Sequence, residues 1–230
     1  DALPACARGC SNTGDVLVYD AMLKALAYDQ IKNLQFAHAG DEKLWPKEEY
    51  DATVIRGSNY LTETVDIGNV IPVLKKLKGP IVPIGVGAQA AKYKKLQLPK
   101  GSVEAWKIIA DKCETIGVRG VYSAEVFNDI GIKNIRIIGC PSFYRNLRPS
   151  IEIKPIDAAN ARVGLTLNRY LSADYASNAT KTNRMQRALI QAVAKRSENR
   201  LYSQGEREET LAIFEQGEAK QKHIRSILEK

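Results

Sequence analysis

Short apolar runs rich in β-branched residues alternate with longer stretches of helical period along most of the chain. LQFAHA (34–39), ATVIRG (52–57), PIVPIGVGA (80–88), TIGVRG (115–120) and IRIIGC (135–140) predict strands, and LPACARG supplies a weaker first one. Between them, residues 15–29, 67–78, 102–113 and 122–130 carry helical spacing. Such alternation predicts an α/β fold with a mainly parallel sheet covered on both faces. Ser102 and Ser123 stand where helix caps are expected, and Gly131 marks a left-handed helix end before the next strand.

From Pro141 to Asn160 the pattern gives way to three prolines and no clean period, which suits an interdomain crossing. The alternation then restarts with strand RVGLTLN (162–168), helix 182–196, strand RLYSQ (200–204) and helix 206–229. The expected division is a Rossmann-like domain over 1–145, a crossing over 146–160 and a second, partial Rossmann-like domain over 161–230. Two strands offer too little sheet to cover both helices of an independent domain, so the chain is expected to stop partway through that domain.

At 230 residues and 44% hydrophobic content the chain can bury a substantial core. No apolar run approaches the roughly 18 residues of a membrane span, and no leader of secretory type is visible, so a cytoplasmic location is expected. Four cysteines without a C-x-x-C pair are read as structural or incidental thiols, and no metal site is expected. The net charge of +8 is evenly spread, with 20 basic against 16 acidic side chains in 1–150 and 14 against 10 in 151–230. This balance fits an anionic small substrate, a membrane-surface acceptor or a plain solvated surface. Aromatic residues are too scattered for a base-stacking platform, so nucleic acid is not an expected partner.

In an open parallel sheet, ligands bind where strand ends lead into helix N-termini. The distinctive residues gather at such edges: SNTGD (11–15), RGSNYL (56–61), GVGAQ (85–89), VRGVYS (118–123) and GCPSF (139–143). They supply Asn12, Gly14, Gly57, Ser58, Asn59, Gly87, Gln89 and Ser123 as candidate substrate-binding residues. Asp15 falls in the first turn of a helix, where offsetting the helix dipole and acting on a ligand are both open to it. Arg119 directly follows an apolar strand; at its open end a guanidinium can fork onto a carboxylate or phosphate, or form a structural ion pair. Arg56 is placed alike and reads more readily as structural. His38 and His223 read as structural or surface histidines, and Lys92, Lys94 and Lys95 as a solvated loop able to draw anions.

Taken in order, NTGD opening a helix, VIRGSNYL, IVPIGVGAQ, VRGVYSAEVFNDIGIKNIRIIGCPSF and RVGLTLN resemble the polysaccharide pyruvyl transferase family, from residue 5 to about 204. The resemblance implies an arrangement similar to GT-B glycosyltransferases, with the active site between two Rossmann-like halves. It implies transfer of pyruvate from phosphoenolpyruvate to two hydroxyls of a hexose of a cell-surface polysaccharide, as a ketal. No cofactor is implied beyond phosphoenolpyruvate as donor substrate. The other partner is a saccharide acceptor, lipid-linked acceptors and peripheral contact with the inner membrane face being open to it. By position, Arg119 looks like the family arginine that contacts phosphoenolpyruvate, and Asn12, Gly14 and Asp15 match the first-loop motif, which makes Asp15 and Arg119 the catalytic candidates. The sequence departs from the family pattern at Gly120, where many relatives carry Asp, at GCPS (139–142), where Gly-Asp-Pro is frequent, and in having no Arg-Leu-His segment before Lys230. These departures keep two alternatives open: an inactive binding or scaffold protein of the same fold, and a nucleotide-sugar-dependent glycosyltransferase.

Overall fold

The computed structural model describes residues 13–26, 30–35, 45, 49–146, 155, 157, 163–166, 176–195 and 199–202. Helix α1 (Thr13–Ala25) is followed by strand β1 (Thr53–Arg56), a 3-10 turn (Gly68–Val70), helix α2 (Ile71–Lys76) and strand β2 (Ile81–Ile84). Helix α3 (Lys100–Asp111), strand β3 (Ile116–Val118), helix α4 (Val121–Asp129), strand β4 (Ile135–Ile137) and a 3-10 turn (Pro141–Tyr144) come next. Strand β5 (Val163–Thr166), helix α5 (Ala179–Ala194) and strand β6 (Asn199–Tyr202) complete the order. The chain divides into two compact units, one built on residues 15–148 and the other on 149–230.

In the first unit β1 pairs with β2 and β3 with β4, both in parallel. The amides of Gly85 and Val86 donate to the Gly117 carbonyl at 2.8 and 2.9 Å, and Val86 bridges Val118, which joins the two pairs into one parallel layer. The apolar spacing of the helices explains what they bury. In α3, Ser102, Ala105, Trp106 and Ile109 fall on one face at helical spacing and are all buried. In α4 the same spacing buries Ser123, Val126 and Phe127. The Trp106 and Phe127 rings meet edge-on, 5.0 Å between centroids at 82°, the geometry that the aromatic quadrupole favours. Around them close Leu61, Ile81, Val86, Ile116 and Val118, each at most 1% exposed.

The α/β alternation is therefore present, with parallel strands throughout. The second unit forms a β-α-β unit in which β5 pairs with β6 in parallel. Several elements differ from the sequence reading at their edges. The expected 67–78 helix is a 3-10 turn that hands over to α2 with Pro72 in the first turn, where its missing N–H costs nothing. The 80–88 strand stops at Ile84 because Gly85 adopts φ +77°, and only isolated bridges at Val86 and Ala88 continue the pairing. Helix α5 begins three residues before the expected start because the Asn178 side chain accepts from the Lys181 amide at 2.9 Å.

Neither Ser102 nor Ser123 caps its helix. The N-cap positions belong to Pro99 and Gly120, and both serines sit inside the first turn and turn inward. Ser102 accepts from the Ile67 amide and donates to the Val65 carbonyl. A buried hydroxyl must find a partner, and here the partner lies across the layer rather than at the helix's own end. Gly131 does take the left-handed conformation expected of it, with φ +87°. The strand expected at 34–39 falls partly on residues 34 and 35, which are irregular, and otherwise outside the described residues. The expected strand LPACARG and helix 206–229, with both histidines, lie outside them too, as do nearly all residues of the expected 146–160 crossing.

Candidate functional site

Beyond the last ladder residues of β1 and β2 the two chain segments keep running side by side. Gly87 donates to the Ser58 carbonyl at 2.8 Å, Leu61 to the Gly87 carbonyl at 3.1 Å, and Gln89 to the Leu61 carbonyl at 3.0 Å. The approach is close enough to require glycine at position 57, and a side chain at position 87 would displace Asn59. A Cβ on Gly57 would stand 2.5 Å from the Gly85 carbonyl oxygen, and one on Gly87 would stand 2.3 Å from Asn59 Oδ1 and 3.1 Å from Arg119 Cδ. The result is a floor of backbone at the C-terminal edge of the sheet, with side chains of three consecutive strand ends over it.

Two guanidiniums mark this edge. Arg56, the last residue of β1, donates from Nη1 to Asp15 Oδ1 at 2.8 Å, with less than a third of either side chain exposed. Its Cζ also lies 4.7 Å from the centre of the Tyr19 ring, a cation–π distance. Burial alone would lower the Arg56 pKa, but neighbouring Tyr60 and Asp15 raise it above the ordinary value. Burial raises Tyr60 above the usual phenol range, with Asp15 adding to the rise while Arg56 and Arg119 pull against it. Tyr60 thus sits in the field of both cations.

Arg119 follows β3, and its amide donates to the Val86 carbonyl at 2.9 Å. Its Nη1 donates to Asn59 Oδ1 at 2.9 Å, and Asn59 Nδ2 in turn donates to Gln89 Oε1 at 2.7 Å. Arg119 Nε is buried with no hydrogen-bond partner among the described residues. No carboxylate among them lies within ion-pair distance of Arg119, whereas Arg56 and Arg145 have Asp15 and Asp20. A half-buried guanidinium held by a neutral amide keeps its whole charge, which is the chemistry an anion receptor needs.

The other predicted residues are distributed as follows. Gly57, Ser58, Asn59, Gly87 and Gln89 come together with Arg119 at this edge. Gly14 and Asp15 lie in the first turn of α1, and Asn12 lies outside the described residues. Ser123 is 4% exposed and its Oγ accepts from the Ala88 amide at 2.9 Å, so it braces the 85–89 segment from beneath. Of the lysines, Lys94 pairs with Glu63 and Lys95 with Asp129 at 3.5 Å, which offsets their pull on anions. Sequence reasoning passed over Tyr60 and Tyr19: a tyrosine within RGSNYL and one a turn into a helix carry no spacing signal, and their relation to Arg56 arises only on folding. Among the described residues no group of three or more His, Cys, Asp or Glu side chains could hold a metal ion, and no helix is long and apolar enough to cross a membrane.

Residues 12–230 match the family model described as polysaccharide pyruvyl transferase. The chain belongs to the polysaccharide pyruvyl transferase family. The match runs through both compact units and includes every described residue at the candidate edge. No curated protein and no solved structure matches the chain. Membership makes the chain one of a family of transferases.

Proposed function

We propose that this chain is a ketal pyruvyl transferase that takes phosphoenolpyruvate as donor and a hexose of a cell-surface polysaccharide as acceptor. The observation that carries the reading is Arg119, a half-buried guanidinium at the open end of β3, held by Asn59 and neutralised by no carboxylate among the described residues. Phosphoenolpyruvate brings a carboxylate and a phosphate, both of which match a guanidinium fork. The alternative of nucleotide-sugar transfer lacks a comparable support, since fold-level analogy alone motivates it.

The reaction must protonate C3 of the donor, form two bonds from sugar oxygens to C2 and break the bond from C2 to the phosphate oxygen. Two hydroxyl protons leave the acceptor; one balances the proton gained at C3 and the other leaves with the phosphate. Arg119 serves by binding the donor's anionic groups and by stabilising charge as the phosphate departs. Asp15, whose carboxylate Arg56 fixes at 2.8 Å, is our candidate for the base that accepts a hydroxyl proton. Gly57, Ser58 and Gly87 contribute the backbone floor on which the donor rests.

The test is to incubate the protein with phosphoenolpyruvate and a panel of hexose and N-acetylhexosamine acceptors, and to look by mass spectrometry for the pyruvyl ketal together with released phosphate. Ketal formation that requires phosphoenolpyruvate supports the reading. Phosphoenolpyruvate left intact with every acceptor, together with saturable binding of nucleotide sugars, would overturn it.

A further inference from the structure

The two arginines of the edge are held by partners of different charge, and the difference has a functional consequence. Arg56 donates to a carboxylate, so its charge is compensated where it stands. Arg119 donates at nearly the same distance, 2.9 Å, to an amide oxygen, so it is oriented without being compensated. We propose that Asn59 is a positioning residue that aims Arg119 while leaving its charge for the donor's anionic group, with Gln89 bracing the Asn59 amide from its other side. The inference rests on the donor reading above and deepens it, because it moves Asn59 and Gln89 from touching the donor to controlling the residue that does.

An asparagine amide presents an acceptor on one side and a donor on the other, and only one orientation suits a guanidinium, which has donors alone. Arg119 therefore takes Oδ1, and Gln89 Oε1 accepts from the Nδ2 that this leaves facing it, at 2.7 Å. Turned over, the amide would oppose N–H to N–H at the Arg119 end and oxygen to oxygen at the Gln89 end. Gln89 is itself anchored through its backbone amide to the Leu61 carbonyl, and Ser123 fixes the neighbouring Ala88 amide. The missing side chain of Gly87 leaves room for Asn59 Oδ1 and the Arg119 stem to lie against the floor. Two amides and a guanidinium thus form a chain of hydrogen bonds whose direction is set by the guanidinium, the one member with donors alone, and which Gln89 Oε1 completes.

Aspartate has nearly the same shape as asparagine and would hold Arg119 with a stronger, charge-assisted bond. A role confined to holding the arginine therefore ranks Asn59→Asp close to wild type and Asn59→Ala as the damaged variant. An Arg119 that is oriented but left uncompensated predicts the reverse order. Asn59→Asp should raise the KM for phosphoenolpyruvate by about tenfold or more, Asn59→Ala by several-fold, and Gln89→Ala by less than Asn59→Ala, with thermal midpoints close to that of wild type for all three. The Gln89→Ala effect should largely vanish in an Asn59→Ala background, since the two act in series.

The same order should appear when inorganic phosphate is titrated into the four proteins, a measurement that does not require phosphoenolpyruvate to be the donor. A wild-type protein that ignores phosphoenolpyruvate but binds phosphate, with Asn59→Asp weakest, removes the donor reading and keeps this inference. Asn59→Asp binding either anion as well as wild type, Asn59→Ala binding more weakly than Asn59→Asp, or no binding of either anion by any form, overturns the inference.

Discussion

Arg56 and Asp15 stand 41 residues apart in sequence and 2.8 Å apart in the fold, and their ion pair ties the end of β1 to the first turn of α1. The link joins two of the edges at which the sequence concentrates its unusual residues. It also fixes a carboxylate at the N-terminal end of a helix, where the helix dipole favours negative charge. Asp15→Ala would leave Arg56 partly buried without its counter-ion. The expected loss is about 1–2 kcal/mol, between the worth of an exposed pair and that of a fully buried one. Denaturant unfolding of the variant and of Asp15→Asn measures it, with the asparagine form expected to lose less.

Ser123 gives a second test, of bracing rather than of substrate contact. Removing its hydroxyl leaves the Ala88 N–H without the acceptor it now has at 2.9 Å beneath the 85–89 segment. Ser123→Ala is expected to cost about 1 kcal/mol, the worth of a hydrogen bond to a part-buried donor. A loss near zero by denaturant unfolding would show that the hydroxyl does not brace this segment.

Gly120 offers a gain. It is the N-cap of α4 in an extended conformation, φ −170° and ψ −179°, with no side-chain cap and nothing within 4 Å of where a Cβ would go. Aspartate can adopt that backbone and supply a cap. Gly120→Asp is expected to stabilise the protein by about 0.5–1 kcal/mol, from capping and from a less flexible unfolded chain. Thermal unfolding reads the change, and a lowered midpoint would contradict the open geometry.

Tyr60 sets a pH window. Its folded-state pKa is raised, first by burial and further by Asp15, although Arg56 and Arg119 oppose the rise. The folded protein therefore holds the phenol proton more tightly than the unfolded chain does. The resulting stability is complete below the unfolded tyrosine pKa of about 10 and is lost as pH rises through the higher folded value. Phenolate absorbance of wild type against Tyr60→Phe should show one tyrosine titrating late. Its titration at or below the ordinary value would contradict the placement of the ring.

The periodicity of the chain carried most of the fold. Strands near 52–57, 115–120 and 135–140 and helices near 102–113 and 122–130 are where the alternation puts them, because burying an apolar stripe decides an element's kind more firmly than its ends. Ends depend on particular partners. Ser102 and Ser123 read as caps, yet each satisfies its hydroxyl across the layer, a relation that no local window contains. The site divides in the same way. Arg119 was legible because a guanidinium after an apolar strand is costly unless it has a purpose. That Asp15 answers Arg56, that Asn59 holds Arg119, and that Tyr60 lies in the field of both are long-range relations set by packing.

The central claim is that Arg119 binds the anionic donor, and the most direct measurement is a calorimetric titration of the protein and of Arg119→Ala with phosphoenolpyruvate. Saturable binding to wild type that weakens by about a hundredfold or more in Arg119→Ala, with the fold intact, is the predicted result. Absence of saturable binding to wild type, or equal affinity in the two proteins, would contradict the account.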